Sequence, residues 1–432
     1  MKKILALLLA MVMMLTMMAG CNKQPADDNS GDVNNSESEN QGEENQGEET
    51  PDYDKILTDA ATALGCLAQQ NPGATGDYKV AMITDYGDIT DQSFNQTTYE
   101  ACKEFCEANN TEFTYFKPAG DSDAERIAMV EKAADEGYNV IVMPGFAFAG
   151  TAVNTENLYP DVSFVVLDVA AGDLLGAVLG DAYDYNPANW DVSKIISSNV
   201  YLAVYQEELC GYMAGYAAVK LGYKKLGFLG GMAVPAVVRY GYGFVQGADA
   251  AAVELGLTDV SIKYAYGNQF YGDASITATM DTWYSAGTEI VFACGGSIYS
   301  SAAEAAAKVN GKIIGVDVDQ KGIIDGKYGE GMTVTSAMKG LAPTVKTSLQ
   351  KILDGKFQGG VIETLGLVSE NPEDNYVQIP MTTQFTDAFT ADNYKALVAD
   401  MFNGKITVNN DTTIAAADNA TVVAVEDLGN IK

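Results

Sequence analysis

The chain has 432 residues, with 58 acidic against 26 basic side chains, no histidine and a formal net charge of −32. That balance leaves no basic footprint for nucleic acid, and the missing histidine removes the commonest general base and the usual mixed Cys and His zinc sites. An apolar share of 47% and an aromatic share of 9% are ordinary for a folded protein, so a real core is expected.

Lys2 and Lys3 precede the apolar run from Ile4 to Met18, and Ala19, Gly20 and Cys21 follow it. A charged start, a short apolar centre and small residues before a boundary predict a secretory signal over residues 1–20, too short to span a bilayer. The string MMAGC resembles a bacterial lipobox, with Met18 where leucine is usual. That resemblance implies lipidation of Cys21 and attachment to the cell membrane on its extracytoplasmic face. From Asn22 to Asp54 the chain carries eleven acidic residues against Lys23 alone and almost nothing apolar, which predicts a disordered tether over residues 21–54.

Residues 55–432 exceed what one core usually accommodates, so two lobes are expected. Apolar runs begin at Tyr78, Phe113, Val140 and Phe164, and again at Leu226, Val260, Ile290, Lys312 and Met332. They alternate with helical patterns such as Ala124 to Glu136, Glu207 to Leu221 and Tyr242 to Leu255, the signature of parallel sheets covered on both faces. The expected division is an N-terminal α/β lobe over 55–200, a C-terminal α/β lobe over 201–335, and 336–432 as a crossover back to the first lobe with a C-terminal tail. Hinges are expected near Ser197 to Tyr205 and Thr333 to Lys339. The five cysteines other than Cys21 lie in apolar surroundings and read as core residues.

The first of these units, VAMITDYGDITDQSFNQ from Val80 to Gln96, is a strand, a polar loop and a helix start. Asp85 closes the strand, Gly87 permits a tight turn, and Asp91 or Ser93 can cap the helix. Later strands end in PGFAF (Pro144 to Phe148), Asp168, GGMAVP, CGGS and GVDVDQ. In open α/β sheets ligands bind at these carboxyl edges, so an interlobe cleft lined from both sides is predicted.

The strings MITDYGDITDQSFNQTTYEA, MPGFAFAGTA, YPDVSFVVLD, EELCGYMAGYAA, KLGFLGGMAVPAVVRYGYGFVQGA, IIGVDVDQ and TSAMK resemble, in order and spacing, the basic membrane protein family of substrate-binding lipoproteins. The likeness covers most of Tyr78 to Leu367. It implies a type I periplasmic-binding-protein fold of two Rossmann-like lobes, capture of a nucleoside, purine above all, and delivery to an ABC permease; a monomer without cofactor or metal is expected beside it. By motif position, Phe94 and Tyr240 would stack on the base, Asp85, Asn95 and Asp168 would address its edges or orient the loop, and Phe146 would close the wall. Asp317 and Lys339 would take the ribose hydroxyls, one accepting and one donating.

Departures from the family pattern are Gln92 in place of lysine, a CGGSIYSS string that brings Tyr299 near the expected pocket, and an insertion over 171–194 that decorates the surface or forms a lid. They leave open another ligand, such as riboflavin or a sugar, or a sensory role. An enzyme using Asp85, Asp88 and Asp91, such as a nucleoside hydrolase, is the weaker alternative, because three Asp in a turn-rich loop are usually caps.

Overall fold

The computed structural model describes residues 51–432. The expected signal peptide, Cys21 and most of the acidic tether lie outside them. A helix, Tyr53–Leu64, opens the described chain, with the Asp52 carboxylate accepting from the Lys55 N–H and left-handed Gly65 ending it. Its buried Leu57 and Ala61 join the core of the first lobe.

In chain order the strands are β1 (Lys79–Ile83), β2 (Glu112–Phe116), β3 (Val140–Pro144), β4 (Ser163–Leu167), β5 (Val200–Tyr205) and β6 (Lys225–Gly230). They continue with β7 (Ser261–Tyr266), β8 (Ile290–Cys294), β9 (Lys312–Asp317), β10 (Thr333–Lys339), β11 (Val361–Leu365), β12 (Val377–Gln378) and β13 (Ala424–Asn430). Two sheets result, ordered β11-β5-β4-β3-β1-β2 and β12-β10-β9-β8-β6-β7-β13. Every pairing is parallel except that of β10 with β12. Strands β3, β4 and β8 are buried at every position, the pattern of parallel strands with helices on both faces.

The first lobe runs past the expected boundary. Val200–Tyr205, read from sequence as a hinge, is a six-residue apolar run paired with β4, so the first crossing lies between Tyr205 and the helix Glu207–Lys220. The second follows Lys339, and the helix Leu341–Leu353 then packs on Phe94–Ala108 and leads to β11. A third precedes β12. Residues 366–432 are correspondingly no mere tail, since β12 and β13 extend the second sheet at its two edges. The Asp249 carboxylate anchors that last stretch by accepting from the N–H groups of Thr421, Val422 and Val423 at 2.7–2.9 Å.

Two helices set the depth of the site. Glu207–Lys220 and Pro235–Leu255 approach so closely that a Cβ on Gly211 would stand 2.2 Å from the Tyr240 carbonyl oxygen, and one on Gly243 2.0 Å from that of Glu208. Only glycine permits this approach. It presses the first residue of one helix, Glu207, against the second turn of the other, Arg239 and Tyr240.

Candidate functional site

A cleft of about 380 Å³ lies between the carboxyl ends of the two sets of strands. Asp85, Phe94, Asn95, Phe146 and Asp168 line it from the first lobe, and Tyr240, Asp317 and Lys339 from the second. The residues named from sequence are thus brought to one place, although their surroundings differ from one another.

The loop after β1 is organised by its own carboxylates. One Asp85 oxygen accepts from the N–H groups of Tyr86 (2.6 Å) and Gly87 (2.7 Å) and from Asn95 Nδ2 at 3.3 Å. Asp91 accepts from the N–H groups of Ser93, Asn95 and Gln96, which makes it the cap of the helix Phe94–Ala108. Asp88 accepts from Thr90 and from Lys117 at 3.0 Å. The DxxDxxD spacing therefore orders a loop, and among the described residues no group of three or more His, Cys, Asp or Glu could hold a metal ion.

Asp168 follows β4 and Asp317 ends β9, the corresponding strands of the two lobes, and both adopt left-handed backbone, with φ 62° and 64°. Few residues other than glycine do so, and such conformations concentrate at ligand sites. Between these carboxylates sits the Lys339 ammonium, its side chain 3% exposed. It donates to Asp168 and lies 3.4 Å from Glu207 Oε1 and 4.0 Å from Asp317 Oδ1. The rings of Phe94, Tyr205 and Tyr240 surround it, with centroids 4.8, 5.4 and 5.6 Å away. Burial alone would lower the lysine pKa, but the carboxylates of Asp168, Glu207 and Asp317 outweigh it and push it up, so the group is cationic. Burial lifts Asp168 to about 6 against the opposing pull of Lys339, and it also raises Asp317, Asp85 and Asp91.

Tyr240 is 2% exposed and meets Phe292 edge-on at 5.9 Å, so most of its ring belongs to the core of the second lobe. Its helix begins at Pro235, not at Tyr242 as the spacing suggests, which turns Tyr240 inward. The second-lobe ring that meets a first-lobe ring across the cleft is Phe270, 6.4 Å from Phe146. Gly231 and Gly295 seat it, since a Cβ on either would stand 2.4 or 2.8 Å from the ring. Nothing in the sequence marks Phe270, which lies in the polar loop after β7 and outside any apolar run. Glu207 and Arg239 were missed too, because a charge at a helix start reads as solvated until the fold buries it.

Tyr299 does not reach the cleft but is buried in the second core. The 171–194 insertion is no lid. Leu174, Leu175, Tyr183 and Trp190 pack into the first core, Trp190 meets Tyr53 edge-on at 4.8 Å, and the segment gives the cleft only Asp173. Gln92, with φ 58°, offers its carbonyl to Gln320 Nε2 at 3.1 Å. That bond joins the lobes, as do those of Ser93 to Asp317, Tyr86 to Met232 and Lys339 to Asp168.

Three buried polar atoms on cleft residues, Asn95 Oδ1, Asp168 Oδ1 and the Tyr240 hydroxyl, have no hydrogen-bond partner among the described residues. Each is worth about 1–3 kcal/mol if satisfied. Aromatic faces beside such groups suit a flat ligand with several polar substituents.

A family model described as "ABC transporter substrate-binding protein PnrA-like" (Bmp) matches residues 78–412. The chain is 27% identical to a Lactococcus lactis protein named "ABC transporter nucleoside-binding protein BmpA", over 82% of this chain and 96% of that one. It is 24% identical to basic membrane protein B of Borreliella burgdorferi, over 71% and 82%. Among solved structures, an ABC transporter solute-binding protein of Conexibacter woesei superposes with TM-score 0.57 at 19% identity, over 77% of this chain and 99% of that one. One from Aeropyrum pernix gives 0.57 at 20% identity, over 79% and 90%. These two share the fold.

Proposed function

Since the chain belongs to the Bmp, PnrA-like family of ABC transporter substrate-binding proteins, we propose that the small molecule it captures is a nucleoside, with a purine base. Members of the family are extracytoplasmic binding proteins and not enzymes, and their partner is a membrane permease. The observation that carries the nucleoside reading is the convergence, in one cleft, of the Phe94 face with the Asp317 carboxylate and Lys339 ammonium. A base stacks on the ring, and vicinal hydroxyls need an acceptor and a donor side by side. Phe146 and Phe270 cover the base from the open side, Asn95 and Asp85 meet its edge, and Asp168 and Tyr240 complete the polar lining. The name of the Lactococcus relative agrees with this reading.

In the same proposal the chain is a monomer, held on the membrane through lipidated Cys21. Denaturing the purified protein and identifying what it releases by mass spectrometry tests the ligand: a purine nucleoside is expected, and a sugar or flavin in its place would overturn the reading. Cys21→Ala tests the anchor, with the protein expected in the medium and not in the membrane fraction.

A further inference from the structure

Glu207 is the first residue of the helix after the first crossing and is fully buried. Its two carboxylate oxygens hold different cations. Oε2 accepts from Arg239 Nε at 2.7 Å, and Oε1 lies 3.4 Å from the Lys339 ammonium. Lys339 stands at the second crossing, and its other strong partner, Asp168, belongs to the first lobe. Arg239 lines the cleft with Asp173 and bonds the protein through Nε alone among the described residues, so its terminal N–H groups have no partner there.

We infer that Glu207 is a positioning residue of the binding site: it holds Lys339 and Arg239 in the geometry in which they donate to ligand, and ties that geometry to the strand crossings. The inference rests on the cleft being the ligand site and extends that reading to a residue that touches no ligand itself. The energetic argument is direct. Asp168 draws the Lys339 ammonium toward the first lobe, and Asp317 opposes it only from 4.0 Å. Glu207 supplies the opposing pull from a rigid helix start, clamped by the glycine-mediated helix contact. Breaking a buried pair by removing one partner is strongly disruptive, because the remaining charge is uncompensated.

The test uses ligand-free protein first. The charged and titratable groups around Asp168 are Lys339, Glu207, Asp317, Arg239 and the Tyr205 hydroxyl. Removing the Glu207 charge with Glu207→Gln takes away a repulsion, so the titration midpoint of the Asp168 carboxyl, followed by carbon NMR, falls below that of the wild type. Arg239→Gln removes an attraction and moves the same midpoint up. General loosening of the fold cannot produce shifts of opposite sign. Affinity for guanosine is then measured on each variant at pH 7.5. A loss of tenfold or more per folded molecule is expected for Glu207→Gln, with the folded fraction measured alongside, and partial recovery in Glu207→Asp. Unmoved midpoints, or an unchanged guanosine affinity in Glu207→Gln, would overturn the assignment. A wild type that binds no nucleoside contradicts the ligand reading instead, and unmoved ligand-free midpoints would still overturn the coupling of Glu207 and Arg239 to the Asp168–Lys339 pair.

Discussion

At the scale of single residues, the Phe94 ring carries the stacking part of the proposed site. Stacking of a base on one aromatic face contributes about 1–3 kcal/mol, so Phe94→Ala is expected to weaken nucleoside binding about tenfold or more by calorimetry. Phe270→Ala is expected to weaken it comparably, and Tyr240→Phe less, because that change keeps the ring and removes only the hydroxyl. A second residue-scale prediction concerns stability. Glu156 is buried, its Oε2 accepts from the Ser197 N–H at 3.0 Å, and burial lifts its carboxyl from the ordinary 4.5 to about 8. The folded chain therefore keeps a proton that the unfolded chain sheds. Its contribution to stability is complete below about pH 4.5 and is lost as the pH rises through 8, with a slope of at most about 1.4 kcal/mol per pH unit. Glu156→Gln should flatten the wild-type fall between those limits in chemical denaturation at stepped pH. The place of Asp317 and Lys339 in the cleft was legible because each ends a strand, and that of Phe94 because it opens the helix after the first strand-end loop. Phe270 was hidden in a loop of mixed polarity, and Glu207 and Arg239 are recognisable only once two helices have buried them.

At the scale of elements, the loop from Asp85 to Ser93 is held by side chains that accept from its own backbone. Asp91→Ala removes the cap on three N–H groups of Phe94–Ala108 and is expected to cost about 0.5–2 kcal/mol in denaturant unfolding. Some affinity should go with it, since Phe94 opens that helix. The tight helix pair makes a sharper demand. Gly243→Val would place carbon atoms inside the Glu208 carbonyl and should leave little folded protein at 37 °C, measured by the soluble yield and the melting temperature. Central parallel strands announced themselves as apolar runs because both their faces are covered. The edge strands β11 and β13 are largely exposed, with little apolar pattern to read, and β5 was read as a hinge because it adjoins one. The exposure of an edge strand depends on neighbours distant in sequence, which local periodicity cannot supply.

At the scale of the whole molecule, the two lobes are linked by three crossings and by side-chain bonds across the cleft, of which Lys339 to Asp168 and Ser93 to Asp317 join groups proposed to meet ligand. A ligand bound as proposed would compete for these partners from both lobes at once, so a nucleoside is expected to raise the melting temperature in a concentration-dependent way. The excess of carboxylates along the cleft also disfavours anionic ligands, and a nucleoside monophosphate should bind more weakly than its nucleoside. The two-lobed architecture was legible because strands and helices alternate in two series, whereas the return of the C-terminal stretch to the second sheet rests on Asp249 and on edge pairing that no local signal announces. The measurement that bears most directly on the central claim is a calorimetric titration of residues 52–432, freed of bound molecules by unfolding and refolding, with purine and pyrimidine nucleosides, ribose and riboflavin. The account predicts tight one-to-one binding of a purine nucleoside, abolished or strongly weakened in Asp317→Ala. Binding of ribose or riboflavin with silence from every nucleoside would contradict it.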